Sequence, residues 1–393
     1  MASKVSLVRC QSYDDKEVYI AVKQALDLLG GIAAFIKPGQ KVLLKPNMLG
    51  TYPPEKGVTT HPSILSAVIK LVRDCGGLPF VGDSPGFDDA EKSFALCGYK
   101  KVCEENNIPY VIFAIPQEVK IPDGIRFKSL KIAKEALDAD IIINLPKLKT
   151  HHLTGITCAV KNMFGCIPGL MKSEYHLKIP GQEDFCLLLL DLLQAVKPTL
   201  TVVDAVVAMQ GEGGPVGGEL INLNLISASN DPIALDRVIC QVIGEDPMKI
   251  TTNKIAMDHA ISPKEIEILG EKVENVACKD FKKILMLPKG TFPGPLVIQN
   301  YLSKILSEKP TLIESKCIHC KICQKVCQSK AISFPINIPI YNYDKCIKCF
   351  CCLEMCPEKA IVAKRDKIGQ LLIKFAGFIL GLKTKIKSVL SKS

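Results

Sequence analysis

The sequence lacks the features that would send it out of the cell or through a bilayer. No positively charged stretch followed by an apolar run opens it, so "MASKVSLVRC" is expected to form the first strand of a domain and not a secretion signal, and the chain is expected to stay in the cytoplasm. No H-E-x-x-H pattern is present, which argues against a dedicated catalytic zinc. No G-x-G-x-x-G follows the first strand, and the glycine-rich "GEGGPVGG" (211–218) lacks the Lys-Ser/Thr ending of a P-loop, so nucleotide binding has no support. Charge of one sign is scarce over most of the chain. Of the formal +10, a net +7 falls from Lys364 onward, leaving about +3 for everything before it; a general nucleic-acid surface is excluded on that balance.

Cysteine, by contrast, is plentiful, with 18 in 393 residues. In a long chain without a secretion signal, clustered C-x-x-C spacing points to metal or redox chemistry before disulfides. Eight of the cysteines form two runs, "CIHCKICQKVC" (317–327) and "CIKCFCCLEMCP" (346–357), with Cys351 inside the second. The other nine, such as Cys75, Cys158 and Cys240, sit singly among apolar or small residues and are expected to be buried reduced thiols. Structural zinc usually pairs one C-x-x-C with another well downstream. Here three cysteines in tight succession are followed by a fourth after three residues, which is the run of bacterial ferredoxins. Three such thiolates wrap a cubane while the fourth reaches its neighbour. One [4Fe–4S] cluster is therefore expected on Cys317, Cys320, Cys323 and Cys356, and a second on Cys346, Cys349, Cys352 and Cys327. "KAISF" after Cys327 and "KAIVA" after Cys356 match in position, as an internal duplication requires. Gln328 stands where this run often has proline, whereas Pro357 is present; Cys351 is expected to be a packing thiol, with surrogate ligation as the alternative. Two clusters in one small unit make an electron relay.

With 48% hydrophobic residues the chain has material for a large core plus a small second unit. Residues 1–280 alternate strands with helical patterns, the signature of an α/β domain with a largely parallel sheet. The expected strands are 41–47, 78–86, 109–115, 139–151, 199–206 and 223–229, and 61–77 and 231–244 are expected crossover helices. Residues 281–315 are expected to be a Pro- and Gly-containing connector with one helix, and 316–363 a small α+β ferredoxin-like unit that depends on metal for its fold. Residues 364–393 form a basic tail. Its apolar residues between 368 and 390 recur at steps of three and four, drawing the stripe of an amphipathic helix. That stripe is too short to span a bilayer. It suits peripheral contact with an anionic membrane at its inner face, or packing against protein.

"KPNM" (45–48), "TTHP" (59–62), "GDSPG" (82–86), "LPKLKTH" (145–151), "TGITCAVKNMFG" (154–165) and "DAVVAMQGEGGPVGG" (204–218) precede the double cysteine run in that order. In these motifs the chain resembles a family of uncharacterised iron–sulfur-centre proteins of bacteria and archaea, in which a domain of unknown function is joined to a bacterial-type ferredoxin module. The resemblance implies an α/β domain served by clusters and offers no settled reaction.

The polar signals fall at expected strand ends, where ligands of open parallel sheets sit. Lys45 and Asn47 follow one strand, Asp83 and Ser84 another, Lys147, Lys149, His151 and His152 a third, and Asp204 a fourth. Lys45, Lys147, Lys149 and Lys161 are candidates for a cationic pocket for a carboxylate or phosphate; the alternative is solvated surface lysines. Asp83 or His151 would handle protons. On "GDSPG" alone, the favoured reading is a tight turn with Asp83 capping a helix that starts near Asp88. Of His151 and His152, one at most is expected to face the site, because neighbours on an extended segment point opposite ways. His61 before Pro62 is read equally well as a helix-start residue, and 211–218 as a flexible lid or a point of close backbone approach. The expected function is an oxygen-sensitive redox enzyme that exchanges electrons with an external ferredoxin-like or flavoprotein carrier and reduces an anionic small molecule. A non-enzymatic carrier or assembly partner is the competing reading; a hydrolase or ligase with structural clusters is a third.

Overall fold

The computed structural model describes residues 2–284 apart from 87, 170 and 180, residue 295, and residues 305–371 apart from 368. The expected tail helix beyond Leu371 and most of the expected connector lie outside the described residues. The chain divides into two compact units, Met1–Met286 and Leu287–Ser393.

The first unit is built on a ten-stranded sheet. Its strands are β1 (Ser3–Arg9), β2 (Lys41–Pro46), β3 (Leu78–Asp83), β4 (Tyr110–Ile112), β7 (Ile141–Leu145), β8 (Lys147–His151), β9 (Gly155–Thr157), β10 (Leu200–Gln210), β11 (Glu219–Ser229) and β12 (Ile266–Gly270). A separate hairpin, β5 (Pro116–Lys120) and β6 (Ser129–Ala133), stands outside it. The sheet runs β12-β1-β11-β10-β7-β2-β3-β4, with β8 on β10 and β9 on β8. Pairings from β10 through β7, β2 and β3 to β4 are parallel, while β11 lies antiparallel to both β10 and β1.

Consecutive residues of β2 explain the layering. Val42 and Leu44 join a core formed with the helices Asp15–Asp27 and Pro62–Asp74 on one face, whereas Leu43 joins a second core with the helix Gln182–Val196 on the other. A strand buried on both faces must be apolar at every position, because successive side chains alternate between the two. Each such Leu or Val removed from water contributes about 1.5–3 kcal/mol before entropy is counted. The helix starts follow from sequence chemistry. Pro62 and Pro232 occupy first-turn positions, and His61 and Asp231 cap the helices ahead of them.

One feature departs from the sequence expectation. Segment 139–151 is two strands, because Pro146 interrupts the ladder: β7 pairs with β2 and with the start of β10, and β8 continues along β10. The glycine-rich loop makes the close backbone approach that is one of its two expected roles. It joins β10 to β11 as a hairpin connection, and a Cβ at Gly214 would lie 2.2 Å from Thr150 Oγ1.

The second unit pairs β13 (Lys309–Leu312) with β16 (Ile361–Lys364), and β14 (Ile332–Ser333) with β15 (Ile340–Tyr341), around the short helices Ile322–Lys325 and Cys351–Glu354.

Candidate functional site

Parallel strands of the first unit end on one edge, and register fixes what meets there. Lys45 of β2 lies opposite Asn144 of β7, and β3 on the other side ends at Asp83. Lys45 Nζ stands 3.2 Å from Asp83 Oδ1, with both side chains almost wholly buried. The second carboxylate oxygen accepts the Met48 N–H at 3.0 Å, and Oδ1 accepts the Ser84 N–H at 2.8 Å. Asp83 therefore caps no helix. The helix Ala90–Leu96 is capped by Asp89, which accepts from Lys92 N–H. The capping reading of Asp83 fails because the buried Lys45 on the adjacent strand β2 offers its carboxylate a charged partner.

Ser84 extends this corner. Its hydroxyl accepts the Gly169 N–H at 2.8 Å, and its carbonyl accepts Lys172 Nζ at 2.6 Å. Burial pushes the Lys172 amine down to about 7, with Asp83 opposing the shift and Lys45 adding to it. Gly165 completes the corner: a Cβ there would lie 2.4 Å from Lys45 Nζ and 2.5 Å from Asp83 Oδ1, so only glycine leaves room for the two head groups. The neighbouring Cys166 thiol is raised to about 12 by burial, which makes it an inert packing group.

Lys147 and Lys149 point from β8 into two further polar clusters. Lys149 Nζ donates to Asn47 Oδ1 at 2.7 Å and to the Val58 carbonyl at 2.6 Å; Asn47 in turn donates to Asn162 Oδ1 at 2.9 Å. Lys147 Nζ donates to Asp204 Oδ2 at 3.0 Å and to the Tyr13 hydroxyl, which itself donates to Asp204 Oδ1 at 2.7 Å. The His61 N–H reaches the same carboxylate at 2.9 Å while its ring stacks on Tyr13 with centroids 3.7 Å apart. Burial lowers the Lys147 amine and raises the Tyr13 phenol, and in both the Asp204 carboxylate pushes the pKa upward. His61 caps its helix through Nδ1, which accepts the Ser63 N–H at 3.3 Å, and its imidazole is lowered by burial.

His151 and His152 are both buried. Leu153 N–H donates to His151 Nδ1 at 3.1 Å, and a His152 ring nitrogen meets the Glu212 carbonyl. Lys161 is half-buried on the short helix Ala159–Asn162. The strand-end candidates thus gather into three clusters, and Asn162 links the Lys149 cluster, through Asn47, to Asn144 and to the Lys45 and Pro46 carbonyls. Sequence reading missed Tyr13 and Lys172, which come from segments carrying no motif of their own, and gave no role to Gly165, the last residue of "TGITCAVKNMFG" (154–165).

In the second unit the two cysteine runs fold as copies. His319 and Lys321, which flank Cys320, have left-handed backbones, and so do Lys348 and Phe350, which flank Cys349. Lys330 and Lys359 repeat the conformation after the fourth cysteine of each run. Ala331 N–H donates to Cys327 Sγ at 3.2 Å and Ala360 N–H donates to Cys356 Sγ at 3.2 Å. A small cavity is lined by Cys317, Cys320, Cys323 and Cys356, the fourth member coming from the other run. The converse holds for the second set, where Cys349 and Cys327 are the neighbours that act on Cys346, and both also act on Cys352. Among the described residues no three His, Cys, Asp or Glu are grouped to hold one metal ion. A single zinc draws its sulfurs to about 2.3 Å from the ion; thiolates spread around a cavity suit the larger cubane. The donor set therefore fits iron–sulfur clusters. Cys351 is buried beside Cys349, and the nine single cysteines are buried or half-buried thiols, with Cys10, Cys97 and Cys103 raised to about 12 by burial.

Residues 42–241 match the family described as "Domain of unknown function (DUF362)", and residues 309–357 match a "4Fe-4S dicluster domain". A thylakoid-associated protein of Synechocystis sp. is 38% identical over 269 residues, covering 68% of this chain and 83% of that protein. Among solved structures, the lactate racemase apoprotein of Thermoanaerobacterium thermosaccharolyticum aligns at 13% identity with a TM-score of 0.36, and a protein from Thermotoga maritima at 11% with a TM-score of 0.34. These alignments cover 58% and 55% of this chain, and the chain spans only about half of each structure, 54% and 55%. No helix among the described residues is long and apolar enough to cross a membrane.

Proposed function

This chain belongs to the DUF362 family, here joined to a 4Fe-4S dicluster domain, and from that premise we propose an oxidoreductase that uses two [4Fe–4S] clusters to reduce an anionic small molecule at the strand ends of the first unit. Cys317, Cys320, Cys323 and Cys356 hold one cluster in this reading, and Cys346, Cys349, Cys352 and Cys327 the other. Each cluster, when bound, exchanges one electron at a time.

The observation that carries the substrate side is the corner around Gly165, where the buried Lys45 and Asp83 are joined by the half-buried Lys172, held on the Ser84 carbonyl. Ammonium groups in a low-dielectric setting attract a carboxylate or phosphate strongly. Lys172, poised at about 7, is suited to deliver a proton at neutral pH. Lys149 with Asn47 adds a second donor cluster, and Asp83 and His151 remain candidates for handling protons. The test is to purify the full chain anaerobically, assay iron and sulfide, reduce it with dithionite, and follow its reoxidation by a panel of carboxylates and phosphates. A member of the panel that reoxidises the wild type but not Lys172→Met, at unchanged iron content, supports the reading. Equal reoxidation of both proteins overturns it.

The second reading is a non-enzymatic electron carrier or assembly partner. It is favoured by the protein acceptors that Lys45, Lys147 and Lys149 already have, all within 3.2 Å, as a purely structural network would. Peripheral membrane contact through residues 368–390 rests on the apolar stripe and on the thylakoid-associated relative.

A further inference from the structure

Electron exchange with a partner needs a cluster edge near solvent, and the two cysteine sets differ in this respect. Cys320 is exposed, whereas no cysteine of the other set is more than half-exposed. Large apolar side chains are exposed near Cys320. Ile318 is 58% exposed and Ile336 80%. The loop carrying Ile336 is held to the cysteine run at both ends: His319 Nδ1 meets the Asn337 carbonyl at 2.6 Å, and Lys321 Nζ lies 6.0 Å over the Phe334 ring. Ile318, Cys320 and Phe334 also line the same cavity. The exposed isoleucines therefore belong to one patch over the first cysteine set.

Lys321 stands beside this patch with Glu358 on the same cavity, and the residues flanking the run in sequence are mostly cationic. Lys316, Lys321, Lys325 and Lys330 are all exposed in or beside this run, against Glu314 and Glu358. From Lys309 to Leu371 the sequence has eleven Lys and Arg and five Asp and Glu, a formal +6. Eight cluster thiolates and their irons would lower that by about four, since a [4Fe–4S] cluster with four thiolates carries about −2 in its oxidised form. The unit stays basic even when loaded.

An apolar centre flanked by charge is the anatomy of a transient protein interface, and the sign of that charge selects the partner. We propose that the surface formed by Ile318, Cys320 and Ile336 with Lys316, Lys321 and Lys325 is the docking site for an acidic electron-carrier protein of the flavodoxin or small-ferredoxin type. This rests on the reading of the second unit as a cluster-bearing electron-transfer module. Electrons would pass singly between the carrier's cofactor and the cluster on Cys317, Cys320, Cys323 and Cys356, with no bond made or broken.

The experiment titrates the anaerobically purified full chain with an acidic flavodoxin by isothermal calorimetry, at ionic strengths from about 0.02 to about 0.3 M. Binding at low salt that weakens about tenfold across that range, and about tenfold in Lys316→Glu/Lys325→Glu at low salt, is the expected result. Ile336→Ser should weaken binding at both salt levels, and Lys264→Glu, on the first unit, should change it less than about twofold. Iron content and the EPR of each reduced variant are measured on the same samples. If wild-type protein carries no reducible clusters, the electron-transfer reading fails on its own. If the clusters are normal but flavodoxin does not bind, binds independently of salt, or binds the double variant equally well, the docking proposal is overturned. Capture of the chain by anionic phosphatidylglycerol vesicles through the same lysines, without affinity for flavodoxin, would also overturn it and assign the patch to a lipid surface.

Discussion

Replacing Asp83 by Asn removes the charge facing Lys45 while keeping the shape of the side chain. At 3.2 Å the pair is worth about 5 kcal/mol at an effective dielectric constant near 20, and breaking a buried pair from one side typically costs about 3–5 kcal/mol, because the remaining charge stays buried. Asn also keeps only one acceptor oxygen, where Asp83 now serves both Met48 and Ser84 N–H groups. Lys45 would retain the Pro46 carbonyl at 3.0 Å as its nearest acceptor. The expected loss is about 3–5 kcal/mol, which at an m-value of about 3 kcal/mol/M lowers the urea midpoint by about 1–1.7 M. Adding Lys45→Met removes the orphaned ammonium and should recover at least half of that shift, since a neutral pair has no charge to desolvate. The assay is urea unfolding of the full chain followed by far-ultraviolet circular dichroism. A single-variant loss below about 1 kcal/mol, or a double variant less stable than the single, would refute the ion-pair reasoning.

Two further outcomes follow from the same chemistry. With Lys172 held at about 7 in the folded chain and near 10.4 when unfolded, the unfolded state binds more protons between those values, so this group adds stability as pH rises from about 7 to about 10; after reductive ¹³C-methylation its NMR signal should titrate near 7, and a midpoint near 10 would contradict the burial argument. Cys351→Ala should leave the iron content unchanged while Cys352→Ala lowers it; iron loss in Cys351→Ala would make Cys351 a ligand.

The strands β2 and β3 and the helices after His61 and Asp231 were legible because apolar runs and prolines are local signals. Polar residues at strand ends were also legible, since parallel topology predicts where ligands collect. Pairing was not. Lys45 meets Asp83 across two strands, and Lys147 meets Asp204 through β10, contacts that only sheet order decides. Nor did local pattern reveal that these lysines are buried, because the isolated residue type is most often solvated. Tyr13 and Lys172 reach the network from segments with ordinary surface composition, and Gly165 matters for the side chain it does not have. The ferredoxin unit was legible almost throughout, since cluster geometry dictates cysteine spacing.

β1 has a consequence for synthesis. It is the second strand from one side of the sheet, yet both its neighbours, β11 and β12, come from the end of the domain, with Val5 opposite Ser229 and Ile268. At about 5–20 residues per second, a ribosome needs roughly 13–53 seconds after making β1 to produce the second of these partners. During that interval Val5, Leu7 and Val8, all buried in the finished sheet, have no slot to enter. The nascent β1 segment is thus an apolar stretch waiting for its place, and a chain stalled before β12 would leave β1 open along one whole side to pairing with another molecule.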